Sequence, residues 1–122
     1  MKRIIIFLMV FSFILSGCTK DNKHKTISSL EAIEMMNSEK DYVIIDVRTI
    51  EEYSDGHIEG AINIPLDNIN DIVNLYDKDK LIMIYCRSGN RSNQAANILD
   101  DLGYTNVYDF GGINTWPNDL VK

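Results

Sequence analysis

Leu81-Ile82-Met83-Ile84-Tyr85-Cys86-Arg87-Ser88-Gly89-Asn90-Arg91-Ser92 changes character at its only cysteine. Leu81 to Tyr85 is a short unbroken apolar run, the pattern of a strand buried on both faces. Beyond Ser92, Ala95, Ile98, Leu99 and Leu102 recur at helical spacing as far as Gly103, where a helix is expected to stop. Cys86 to Arg91 is therefore a strand-to-helix turn with a thiol at its start. Such a turn aims backbone N–H groups inward and adds the partial positive charge of a helix N-terminus, so it favours an anion at its centre. Gly89 allows the loop to close tightly, and Arg87 and Arg91 bring positive charge. These surroundings lower the pKa of a cysteine, so Cys86 is expected to act as a thiolate nucleophile without a histidine base.

The flanking sequence extends the alternation of strand and helix. Ser28 and Glu31 form a capping box ahead of Leu30, Ile33 and Met36, which predicts a first helix with those three residues inward. Tyr42 to Ile45 is a second apolar strand, ending at Asp46. Thr49 and Glu52 form another capping box, and the short helix they open is expected to stop at Gly56. Ala61 to Ile64 reads as a strand closed by Pro65. Leu66, Ile69, Ile72, Val73 and Tyr76 share one helical face, and Asn106 to Phe110 supplies the last strand. The pattern predicts an α/β fold with a mainly parallel sheet and helices on both faces, whose ligands bind beyond the carboxyl ends of the strands.

The front of the chain reads differently. Met1-Lys2-Arg3 is cationic, and the apolar run Ile4 to Leu15 that follows it would reach about 18 Å as a helix, short of the roughly 30 Å hydrocarbon core. Together with the small residues Ser16 and Gly17 ahead of Cys18, this predicts residues 1–17 as a bacterial lipoprotein signal peptide and Cys18 as the acyl-modified first residue of the mature chain. Residues 18–25 are expected to be a polar tether and residues 26–122 one domain. The expected location is the extracytoplasmic side of a bacterial membrane, held there by the lipid alone. With Cys18 tied up as a thioether, Cys86 has no intrachain partner. The formal net charge of −6 argues against nucleic acid as a partner.

Several further segments, taken with the loop, carry a resemblance to the rhodanese family that covers residues 26 to 116. They are Asp46-Val47-Arg48, Glu52-Tyr53, Gly56-His57-Ile58-Glu59-Gly60-Ala61-Ile62-Asn63-Ile64-Pro65, Cys86 to Ser92, Leu102-Gly103-Tyr104, Gly111-Gly112 and Trp116. The resemblance implies a five-stranded sheet and a sulfurtransferase in which Cys86 accepts sulfane sulfur as a persulfide from a small anionic donor such as thiosulfate. Cys86 would then pass that sulfur to cyanide or a thiol. It further implies that the backbone amides of Arg87, Ser88, Gly89, Asn90 and Arg91 cradle the persulfide, with Arg87 and Arg91 helping to bind the donor. A monomer without metal or cofactor is expected.

Asp46 and Arg48 are read as holding loops in place, His57 as a turn residue and Trp116 as a packed tryptophan or a pocket-mouth residue. Two other functions remain open on the same residues. A phosphatase or arsenate reductase of the same fold separates cysteine and arginine by five residues, where Arg87 to Asn90 provide four. A non-enzymatic binding module or partner-specific sulfur carrier is the other.

Overall fold

The computed structural model describes residues 23–122. Five strands form one sheet: β1 (Lys25–Thr26), β2 (Tyr42–Asp46), β3 (Ala61–Asn63), β4 (Leu81–Cys86) and β5 (Val107–Gly112). Their spatial order is β1-β5-β4-β2-β3, and every pairing is parallel. The helices are α1 (Ser29–Ser38), α2 (Ile50–Asp55) and α3 (Asn90–Asp101). Both capping boxes form as expected, Ser28 with Glu31 and Thr49 with Glu52.

Alternation along β2 and β4 divides the core into two layers. Val43, Ile45, Ile82, Ile84 and Cys86 face α3 and the segment Leu66–Asn74, meeting Ala95, Ala96, Leu99, Ile69 and Ile72. Ile44, Met83 and Tyr85 face the other way, toward Ala32 of α1 and toward Ile58 and Phe110. Cys86 ends β4, so the thiol sits at the carboxyl end of the central strand, where the sheet's topology predicts a ligand site.

Three expectations need correction. The stretch Leu66–Asn74 is a 3₁₀ helix rather than an α-helix. Its period of three lines up Ile69 and Ile72 in the core and turns Val73 outward, leaving it 46% exposed. In α1 the buried stripe is Ser29 and Ala32 with Met35 and Met36 packed alongside, while Leu30 faces solvent at 66% exposure. The fold also begins ahead of Thr26. Lys25 pairs with Tyr108, and the His24 backbone N–H and ring Nδ1 both bond the Asp100 carboxylate at 2.7 Å. That strand covers the free edge of β5 with backbone alone, so it has no hydrophobic signature.

Asp46 and Arg48 tie the sheet's carboxyl edge to the loops above it. Both are buried, at 0% and 6% exposure. Arg48 Nη2 donates to Asp46 Oδ2 and to the Gly56 carbonyl, each at 2.7 Å, so the guanidinium clamps the end of α2 to the end of β2. Removing one partner of a buried pair strands the other, at a cost of about 3–5 kcal/mol. Asp46→Ala is accordingly expected to lose about that much stability in urea unfolding, whereas a loss below about 1 kcal/mol would show that Arg48 finds water instead.

Candidate active site

The loop after β4 is built by its glycine. Gly89 holds a left-handed φ of +102°, which turns the chain back so that its own N–H points at the Cys86 sulfur, 3.0 Å away. Helix α3 begins at the next residue with no side-chain cap, leaving first-turn amides free to face the same atom. Cys86 is buried, with 1% of the residue exposed. Burial pushes its pKa up, but the Ser92 hydroxyl and the backbone N–H groups of Ser92, Gly89 and Ser88 outweigh burial, and the net shift is downward.

Ser92 completes this cradle and was not among the candidate site residues drawn from the sequence. Its Oγ lies 3.5 Å from Cys86 Sγ, 3.1 Å from the Gly89 carbonyl and 3.3 Å from the Gly111 carbonyl. Opposite the neutral thiol, the S–H donates to Ser92 Oγ and the hydroxyl donates to a carbonyl. Opposite a thiolate, the hydroxyl proton is available to the sulfur. The available signal was position: the first residues of a helix that opens against a thiol are the ones able to reach it.

The two arginines of the loop have different surroundings. Arg91 is held in a two-pronged pair with Glu52, Nη1 to Oε1 at 2.7 Å and Nη2 to Oε2 at 3.0 Å. That pair, with burial opposing it, holds the Glu52 carboxyl down at about 2. Arg87 is exposed and joins no ion pair among the described residues. Ser88 and Asn90 are exposed on the rim. Arg91 thus anchors the loop to α2, and Arg87 is the loop cation left open to solvent.

The other side of the loop rests on β5. One extra residue in β5 shifts the register between Ile84 and Cys86, a bulge beside the thiol that brings Gly111 and Gly112 against the loop. Asn114 N–H donates to the Arg87 carbonyl at 3.2 Å. A Cβ on Gly112 would collide with that carbonyl, so this close approach requires glycine.

His57 and Trp116 have structural surroundings. The His57 ring stacks on Tyr53 with centroids 3.7 Å apart and donates from Nδ1 to the Tyr53 carbonyl. Trp116 packs on Phe110. Among the described residues no three His, Cys, Asp or Glu side chains cluster as a metal site, and no helix is long and apolar enough to cross a membrane. Cys18 and the expected signal peptide lie outside the described residues.

The family model for the rhodanese-like domain matches residues 28–119, from the capping serine of α1 to just past Trp116. The chain belongs to the rhodanese family. Among curated rhodanese relatives, thiosulfate sulfurtransferase PspE of Escherichia coli is 42% identical over 80 residues, covering 64% of this chain and 77% of that one. Thiosulfate sulfurtransferase GlpE of Coxiella burnetii is 35% identical over 94 residues, covering 76% and 87%. A rhodanese-like domain protein from Staphylococcus aureus has the same fold with a TM-score of 0.72 at 34% identity, over 80% of this chain and 96% of that one.

If Ser92 supplies a hydrogen bond to the thiolate, Ser92→Ala removes a charge-assisted contact of about 1.5–3 kcal/mol. The thiolate becomes harder to form, so the acidic limb of a Cys86 alkylation profile moves to higher pH. At fixed pH below that limb the rate falls about ten- to a hundred-fold. An unmoved profile would take Ser92 out of the cradle.

Proposed function

We propose that Cys86 carries sulfane sulfur as a persulfide and that the protein moves sulfur from a small anionic donor, with thiosulfate as the model, to a thiophilic acceptor. The observation that carries this reading is the convergence of the Gly89 N–H, the Ser92 hydroxyl and the Ser88 and Ser92 amides on one buried sulfur. The names of the thiosulfate sulfurtransferases from E. coli and C. burnetii point the same way.

In the first half-reaction the Cys86 thiolate attacks the outer sulfur of thiosulfate. A new S–S bond forms at Sγ, the old S–S bond breaks, and sulfite leaves with its electron pair. The outer sulfur remains on Cys86, within reach of the amides of residues 87–91. Arg87, exposed on the rim, attracts the doubly charged donor, while Arg91 holds the loop through Glu52. In the second half-reaction an acceptor nucleophile attacks the outer sulfur and Cys86 leaves as thiolate. No external oxidant or reductant is needed.

This covalent scheme makes a direct claim about mass. Thiosulfate is expected to add one sulfur atom to the intact protein, and cyanide or dithiothreitol to remove it. Cys86→Ser is expected to abolish both label and turnover, because an oxygen forms no persulfide. Aryl-phosphate hydrolysis without any sulfur gain would replace this reading with the phosphatase one, and silence in both assays would favour a partner-specific carrier or binding module.

We further propose that the protein works at the extracytoplasmic face of a bacterial membrane, anchored by lipid on Cys18 after removal of residues 1–17. The support is the cationic start, the short apolar run and the small residues preceding Cys18. Cys18→Ala is expected to shift the protein out of the lipidated membrane fraction. Intact mass showing a cleaved wild-type chain without acyl groups would overturn the anchor.

A further inference from the structure

A cavity of about 290 Å³ opens beside the thiol loop, with Arg87 on one side and Glu52 and Asp55 of α2 on another. Ile113 and Leu120 supply its apolar wall, and Arg48 also lines it. Four charged side chains therefore share one small space, and two are already neutralised within the protein. Arg48 is paired with Asp46, and Glu52 with Arg91. Arg87 and Asp55 are left. Neither joins an ion pair among the described residues, whether with the other or with any third group.

The cavity thus offers one open cation and one open carboxylate that do not satisfy each other. A ligand with one charge would meet one of them and leave the other bare. A small ligand with both charges, a carboxylate toward Arg87 and an ammonium toward Asp55, meets both. The space is at the lower end of the range for small-molecule sites, which suits a molecule the size of an amino acid. Its wall is fixed by the C-terminal strap. His57 N–H donates to the Val121 carbonyl at 2.8 Å and Val121 N–H to the His57 carbonyl at 2.9 Å, pinning Leu120 against Gly56.

Resting on the persulfide reading of Cys86, we propose that this cavity selects the sulfur acceptor, and that the acceptor class is a zwitterionic aminothiol of amino-acid size. Its thiolate attacks the outer sulfur of the Cys86 persulfide once that sulfur has taken up a proton from solvent. An S–S bond forms on the acceptor, the bond to Cys86 Sγ breaks, and the electron pair stays on Sγ as thiolate. The proton remains on the transferred sulfur, so the product is an alkyl persulfide and the thiol loop is ready for the next donor. Asp55 and Arg87 are specificity-determining residues in this step, acting on groups of the acceptor remote from the reacting sulfurs.

The test uses the full chain, thiosulfate as donor and five acceptors: cyanide, L-cysteine, cysteamine, 3-mercaptopropionate and 2-mercaptoethanol. Rates are expressed as kcat/KM per thiolate and divided by the same variant's cyanide rate, which cancels changes in the donor half-reaction. Cysteine is expected to exceed mercaptoethanol by about tenfold, with the two singly charged thiols between them. Asp55→Asn should erase the advantage of the ammonium-bearing thiols and leave the mercaptopropionate ratio in place. Arg87→Gln should do the reverse. Equal rates for cysteine and mercaptoethanol in the wild type, or ratios unmoved by both substitutions, would overturn the proposal, while wild-type cyanide turnover would keep the persulfide reading standing. Absence of both cyanide turnover and thiosulfate-dependent sulfur gain in the wild type would instead remove the persulfide reading, and this proposal with it.

Discussion

Burial of the Cys86 sulfur removes the water that would otherwise solvate a thiolate, so any negative charge there has to be met by the chain itself. A side-chain cation at the centre of the loop would serve, but both loop arginines are engaged elsewhere or exposed, and what faces the sulfur is neutral: backbone N–H groups and one hydroxyl. These donors are useful because they are fixed. The left-handed turn at Gly89, the uncapped start of α3 and the bulge in β5 all hold them in place before any charge forms.

The loop is held from two sides, and the two attachments differ in kind. Toward α2 the link is electrostatic: Glu52 closes the capping box with Thr49 and also grips Arg91, so one carboxylate joins two helix N-termini. Toward β5 the link is steric and backbone-borne, through the Asn114 to Arg87 hydrogen bond and the close approach that only a glycine at position 112 permits. Beneath both lies the buried Asp46–Arg48 pair, which holds the Gly56 end of α2, the helix from whose first turn Glu52 reaches. The chemistry of one loop thus depends on residues spread across half the chain.

Much of this was legible in the sequence. Capping boxes announce helix starts through two side chains three residues apart, and both did so correctly. The strand-to-helix turn at Cys86 was visible because its apolar run stops at the thiol. What escaped carries little local chemical signature. A 3₁₀ segment and an α-helix both bury residues three apart, so Ile69 and Ile72 fit either, and only Val73 distinguishes them. The edge strand at Lys25 and Thr26 pairs through backbone alone. The role of Ser92 depends on where a helix starts, and α3 begins at Asn90, before the residue at which the apolar stripe suggested it would.

The pairing of Arg91 with Glu52 also bears on which anion the ring of amides can hold. Cys86 and Arg91 bracket only four residues, and the guanidinium at the far end is committed to a carboxylate of α2. The ring interior is therefore small and lined by dipoles alone. A tetrahedral dianion places several oxygens and two charges in such a space and calls for donors around each oxygen, preferably with a cation among them. A single terminal sulfur asks for less: one atom, one diffuse charge, and N–H groups converging on one point. Converging donors on one point are what Gly89, Ser88 and Ser92 provide around Cys86. On this argument the ring suits one sulfur better than a tetrahedral dianion by its size and by where its arginine is held, while the proposed acceptor site lies outside it, at the end of α2 and the C-terminal strap.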